Sequence, residues 1–242
     1  MKAVMVTDDG VKFLDTPTPK PKANEVLIQV RACGLNRADL MVASGMAHGA
    51  VGGAGTIVGM EISGEVAEMG ADVQGFAVGD RVMASGGAAW AEYAVADWGR
   101  TAKIPDNNMS FDTAATLPVA LQTMHDAVVT NGALTPGKTI MIQGASSGVG
   151  IMGMQIAKLK GASLVVGSST NAGRRARLSE FGADLAVDPS DPSWVSQVLE
   201  ATDGKGVDTI VDQVSGYVAN QNLEATAIKG RIVNVGRLGG FS

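Results

Sequence analysis

The chain has 242 residues, 45% of them hydrophobic and 18% charged, and a formal net charge of −5. That is enough for one large or two small domains with a sizeable core, and it argues against nucleic acid or an anionic membrane as the main partner. The single cysteine, Cys33, excludes an intrachain disulfide and a thiolate metal cluster. No apolar run approaches the roughly 18 residues of a membrane span, and the apolar start is too short for a signal peptide, so a cytoplasmic setting is expected.

The first part reads as β-rich. Residues 3–6 and 11–14 flank Asp8-Asp9-Gly10, a hairpin signal. Three prolines within 16–21 make an extended connector. Residues 25–32 alternate as a strand with Val26, Ile28 and Val30 on one face, and short strands are expected over 57–66, 81–83 and 92–96. Ser110 is placed to N-cap a helix through Ala114 and Ala115, and Leu121, Met124, Val128 and Val129 continue at helical spacing.

From Pro136 the rhythm becomes α/β. Strands are expected at Thr139–Gln143, 163–167, 185–188, Val207–Asp212 and 231–235. Between them, Val149, Met152, Ile156 and Leu159 share an apolar helical face that stops at Gly161. A helix over 174–181 stops at Gly182, Asp191-Pro192 reads as an N-cap with proline at N1, and 220–228 reads as a helix before Gly230. Strands alternating with single helices imply a doubly wound parallel sheet.

After the first of these strands comes Gly144-Ala145-Ser146-Ser147-Gly148-Val149-Gly150, which opens a helix. Strand, glycine turn and helix start is the order in which a dinucleotide-binding fold offers N–H groups to a pyrophosphate. Gly144, Ser146, Ser147, Gly148, Val149 and Gly150 are therefore candidate cofactor-binding residues. Ligands of such sheets gather beyond the carboxyl ends of the strands, which adds Ser215 and Gly216 after the fourth strand and Val235 and Gly236 after the fifth. Arg237, next in line, either closes on substrate or is simply solvated. NAD-binding folds usually carry an acid near the end of the second strand. Here that place reads Gly167-Ser168-Ser169-Thr170, with Arg174 and Arg175 following. Hydroxyls and guanidinium groups suit a 2′-phosphate, so NADPH is the expected cofactor, with Ser168, Ser169, Arg174 and Arg175 as its contacts.

The glycine turn alone resembles that of the short-chain dehydrogenases, but those enzymes use Tyr-x-x-x-Lys. Here Tyr93 is followed by Asp97 and Tyr217 by Gln221. The chain as a whole instead resembles the medium-chain dehydrogenase/reductase superfamily, on its zinc-free quinone oxidoreductase side. The resemblance rests on segments that occur in that family's order. They are Cys33-Gly34-Leu35-Asn36-Arg37-Ala38-Asp39-Leu40, Val58-Gly59-Met60-Glu61-Ile62-Ser63-Gly64, Val78-Gly79-Asp80-Arg81-Val82, Leu117-Pro118-Val119 with Thr123, the glycine turn, Gly204-Lys205-Gly206-Val207-Asp208, and Gly230-Arg231-Ile232-Val233-Asn234-Val235-Gly236.

The resemblance implies a β-rich GroES-like domain over residues 1–117 beside a Rossmann domain over 118–242, with the cofactor cleft between them, and a homodimer. It places Asn36 beside the nicotinamide ribose as a positioning amide and Thr123 near the carboxamide. Each has a plainer alternative, a turn residue and a core threonine. Zinc-dependent relatives carry a ligand Cys where Asn36 stands and a ligand His where Met60 stands; an amide and a thioether are poor replacements, so no metal is expected.

Without metal or a Tyr-Lys pair, a substrate needing little protonic help fits best, and NADPH-dependent reduction of a quinone or activated alkene is the first expectation. The alternatives are an enoyl or carbonyl reductase with His48 as acid, and a non-catalytic NADPH-binding interaction protein. Relatives usually continue past this point with a last sheet strand. The strand at 231–235 is therefore expected to present an open edge that either pairs with a second copy or makes the chain poorly soluble, and turnover is expected to be weak.

Overall fold

The computed structural model describes residues 1–47, 52–106 and 108–240. The chain divides into two compact units, Met1–Val119 and Ala120–Ser242. No helix among the described residues is long and apolar enough to cross a membrane.

The first unit opens with a hairpin, β1 (Lys2–Thr7) and β2 (Gly10–Asp15), paired antiparallel. Its main sheet has five antiparallel strands: β3 (Glu25–Cys33), β4 (Glu61–Met69), β5 (Arg81–Ser85), β6 (Tyr93–Asp97) and β7 (Thr101–Lys103), in the order β6-β3-β4-β5-β7. Val26, Ile28, Ile62, Val66, Val82, Ala84, Ala94 and Ala96 form one buried cluster between pleats. The strand expected from residue 57 begins only at Glu61; Ile57 makes an isolated bridge to Met5 instead. Helix α1 (Arg37–Ala43) follows β3, and α2 (Phe111–Ala115) is capped as expected, the Ser110 hydroxyl accepting the Thr113 N–H.

Helix α3 (Pro118–His125) leads into the second unit and widens into a π-helical turn over Asp126–Asn131, where the sequence suggested one regular helix. The sheet there is wholly parallel: β8 (Thr139–Gln143), β9 (Leu164–Ser168), β10 (Leu185–Val187), β11 (Val207–Asp212) and β12 (Thr226–Asn234), ordered β10-β9-β8-β11-β12. Counted within the unit this is 3-2-1-4-5, the doubly wound order. Strand periodicity sorts the core onto two faces. Ile140, Ile142, Val165 and Val211 pack with Met124, Met154 and Leu178. Met141, Val166 and Ile210 pack with Trp194 and Val198 on the other side.

The helices of this unit are α4 (Gly148–Leu159), α5 (Ala172–Arg175), α6 (Trp194–Ala201) and α7 (Ala219–Ala225). Three expectations are corrected. The helix expected at 174–181 starts earlier, because the Asn171 side chain accepts the Arg174 N–H, and it breaks before a 3₁₀ turn over Leu178–Phe181. Asp191 is not the N-cap of α6: its carboxylate takes the Ser193 N–H and hydroxyl in a local turn, and the helix begins at Trp194. The helix expected to reach 228 ends at Ala225, because Thr226 pairs with Val207 and starts β12. The register then jumps so that Thr209 faces Arg231, with Lys229 at φ +65° inside the bulge.

Candidate functional site

In the second unit the apolar run of β8 ends at Gln143, and the chain turns at Gly144, whose φ of +73° favours glycine. The Ser147 hydroxyl accepts the Gly150 N–H at 3.0 Å and so N-caps α4. The N–H groups of Gly148 and Val149 have no acceptor among the described residues, as expected of an uncovered first turn. Gly150 permits close packing: a Cβ there would lie 2.6 Å from the Gly144 carbonyl oxygen and 2.7 Å from the Ala145 Cα. This arrangement points N–H dipoles toward the turn's open side and can hold a pyrophosphate.

A buried polar network supports the turn from behind. The Ser168 hydroxyl donates to Gln143 Oε1 and accepts the Gly144 N–H. Gln143 Nε2 donates to Asn222 Oδ1 at 2.7 Å, and Asn222 Nδ2 donates to Asp212 Oδ2 at 3.0 Å. Asp212 Oδ1 accepts the N–H groups of Val214 and Ser215, and Gln213 Nε2 donates to the Gln143 carbonyl. Ser168 is fully buried, so its hydroxyl acts on the turn rather than facing outward. The sequence reading missed Gln143, Asp212, Gln213 and Asn222; the signal available was a polar residue closing an apolar strand, as at Gln143 and Asp212.

At the end of β9, the Ser146 and Ser169 hydroxyls lie 2.9 Å apart. Arg174 is exposed and forms no ion pair among the described residues. Arg175 differs: its Nη1 donates to the Ser169 carbonyl at 2.7 Å and to Asp188 Oδ2 at 2.8 Å. Hydrogen bonds from the Ser190 hydroxyl and N–H, aided by Arg175, hold the Asp188 carboxyl below its ordinary value.

Beyond β11 and β12, the Ser215 hydroxyl donates to the Gly236 carbonyl at 3.0 Å and accepts from Asn234 Nδ2. Ser215 sits at φ +55°, held there by Asp212, and Gly216 follows at φ +54°. Val235 donates its N–H to the Asp212 carbonyl. Thr123 and Val235 line a cavity of about 750 Å³ with Asp126, Asn131, Arg231 and Asn234.

In the first unit Asn36 precedes α1, and its N–H donates to Asp39 Oδ2 at 2.7 Å. Its Nδ2 donates to Glu61 Oε1 at 2.8 Å, while Glu61 Oε2 accepts the Val119 N–H at 2.8 Å, capping the first turn of α3 from β4. A carboxylate only accepts, so the amide must turn its nitrogen to Glu61 and its oxygen away. Burial pushes the Glu61 carboxyl up, against the opposing pull of the Val119 N–H and Asn36, with Asp39 adding to the rise. Gly34 leaves room: a Cβ there would lie within van der Waals overlap of the Glu61 carboxylate and the Ala115 carbonyl.

His48 lies outside the described residues. Met41 and Met46 are exposed. At the two positions where zinc-dependent relatives carry a ligand Cys and a ligand His, the amide of Asn36 is engaged by Glu61 and Met60 offers a thioether, a poor ligand for zinc.

Two family models match the sequence: the alcohol dehydrogenase GroES-like domain over residues 22–106 and the zinc-binding dehydrogenase over residues 148–241. A quinone oxidoreductase of Pseudomonas syringae pv. Tomato DC3000 superposes with a TM-score of 0.86 at 27% identity, covering 99% of this chain and 74% of that one. A mycobacterial protein complexed with NADPH gives a TM-score of 0.86 at 28% identity, covering 99% of this chain and 75% of that one. A phenolphthiocerol/phthiocerol polyketide synthase of Mycobacterium tuberculosis is 30% identical over 229 residues, 95% of this chain but 10% of that protein. The chain thus spans about a tenth of the length of the curated relatives it matches. With the GroES-like and Rossmann folds in this order and these neighbours, the chain belongs to the medium-chain dehydrogenase/reductase superfamily.

Proposed function

We propose that the protein passes hydride from NADPH to a quinone or activated alkene without a metal. The observation that carries this reading is Asn36, an amide anchored on buried Glu61 at the position where zinc-dependent relatives place a thiolate. Bound NADPH supplies the hydride. The chain's own part is to hold it: the N–H groups of Gly148 and Val149 take the pyrophosphate, Arg174 faces the 2′-phosphate, and Thr123, Ser215, Gly216, Val235 and Gly236 line the nicotinamide end. Asn36 positions the ribose through its outward amide oxygen. A quinone that accepts hydride takes its balancing proton from solvent and leaves as the hydroquinone, so no buried acid is required.

The test is loss of NADPH absorbance with a simple benzoquinone, with and without a chelator, alongside elemental analysis. Quinone-dependent oxidation that survives chelation, with no stoichiometric zinc, supports the reading; one zinc per chain overturns it. Arg174→Ala should weaken NADPH about tenfold or more, the worth of one charge-assisted contact. The match to polyketide synthases favours a second reading, reduction of an enoyl thioester with His48 as acid. An enoyl thioester turned over in preference to quinones, with the rate lost in His48→Ala, selects it.

A further inference from the structure

Doubly wound folds that bind unphosphorylated dinucleotides use a carboxylate near the end of the second strand to accept the ribose 2′-hydroxyl, and that carboxylate repels a 2′-phosphate. The sequence has no acid at the end of β9. The structure supplies one from the next strand. Val187 pairs with Ser168 in the parallel ladder, and the Ser169 N–H donates to the Val187 carbonyl at 3.1 Å. The next residue, Asp188, therefore stands beside Ser169, one strand over from the end of β9 where a ribose-binding acid is usual.

Arg175 occupies that carboxylate. Its Nη1 bridges Asp188 Oδ2 and the Ser169 carbonyl, while the Ser190 hydroxyl and N–H take Asp188 Oδ1 at 2.6 and 3.0 Å. Both partners of the ion pair are about three-quarters buried, 25% and 24% of their side chains remaining exposed. Screening by solvent is weaker there than on an open surface. Arg174, one residue earlier, stays exposed without an ion-pair partner among the described residues.

We propose that Asp188 is a ribose-binding carboxylate masked by Arg175, and that this ion pair sets the choice between 2′-phosphorylated and unphosphorylated dinucleotides. The inference rests on the NADPH reading above and divides the labour between the two arginines. Arg174 meets the phosphate, and Arg175 silences the acid that would oppose it. With the pair intact, Arg174, Arg175 and Asp188 together carry one net positive charge. Removing Arg175 leaves zero and bares a carboxylate. Removing Asp188 leaves two positive charges and frees a guanidinium.

The test is fluorescence titration of the full chain with NADPH and with NADH, for the unmodified protein, Arg175→Ala, Asp188→Asn and the double variant. The ratio of the two affinities within one variant cancels any loss of folded protein. Arg175→Ala should lower the NADPH:NADH preference about tenfold or more, partly by tightening NADH, as one charge-assisted contact is exchanged. Asp188→Asn should raise the preference, and the double variant should lose the NADH gain. A merely structural staple would weaken both dinucleotides alike. A preference for NADPH that neither single variant changes overturns the masking and leaves the NADPH reading standing. Binding of neither dinucleotide by the unmodified chain overturns both.

Discussion

Two glycines in the first turn of α4 make a matched pair for measuring how tightly this helix sits on the glycine turn that precedes it. An ideal Cβ on Gly148 meets nothing within 4 Å, whereas one on Gly150 would lie 2.6 Å from the Gly144 oxygen, 2.7 Å from the Ala145 Cα and 2.8 Å from the Ala145 carbonyl carbon. All three are backbone atoms, so no side chain can swing aside. Glycine to alanine in a helix gains up to about 1 kcal/mol in propensity, and both positions share that term. Forcing a methyl into packed backbone costs roughly 1–3 kcal/mol. Gly148→Ala should therefore be neutral or stabilised, and Gly150→Ala should fall below it by about 1–3 kcal/mol, at roughly 2–4 °C in Tm per kcal/mol for a chain of this size. Thermal unfolding followed by circular dichroism reads the difference. Gly150→Ala should also bind dinucleotide more weakly, since relief of the overlap must move Gly144 or Ala145. A Gly150→Ala variant as stable as Gly148→Ala would refute the close packing of α4 on the turn.

Ser147→Ala removes the cap on the Gly150 N–H and should cost about 1 kcal/mol in urea denaturation. Ser147→Asp should restore stability as a cap yet bind dinucleotide worse, because it brings a negative charge to the phosphate end; recovery of both would argue against a pyrophosphate there. For Glu61, burial raises the carboxyl above its ordinary 4.5, so the folded state holds the proton more tightly than the unfolded chain. Its contribution to stability is then fully present below 4.5 and is lost as pH rises through the folded value. The stability of the unmodified protein relative to Glu61→Gln should accordingly rise as pH falls from neutral toward 4.5, and parallel pH profiles would contradict the assignment. Strand β12 is an outer strand of its sheet and carries Ile228 at 95% exposure. An open edge invites strand pairing, so light scattering of the chain should show self-association that Ile232→Lys reduces; a monodisperse monomer at all concentrations would rule this out.

What the sequence disclosed and what it hid divide along the range of the interactions. The strand at Thr139–Gln143, the cap at Ser110 and the strand–glycine turn–helix order are each decided within a few residues, and all stand where the residues placed them. The start of β12 was not legible. Thr226 to Lys229 can extend a helix on propensity alone, and only pairing with Val207 across the sheet makes them strand. The anchoring of Asn36 on Glu61 spans 25 residues, and the network from Gln143 through Asn222 spans 79. Neither has a local signature.

The arginines after β9 show how this matters for function. By type and spacing Arg174 and Arg175 are equivalent, and both look suited to a phosphate. Asp188, 13 residues from Arg175 in sequence, comes beside it only because β10 lies parallel to β9. The acid missing from the end of β9 thus has a counterpart, on the proposal above, at the end of the neighbouring strand β10. A cofactor preference inferred from one strand's sequence is therefore incomplete until the neighbouring strand's end is known. Here the neighbour turns one of two apparent phosphate ligands into the counter-ion of an acid.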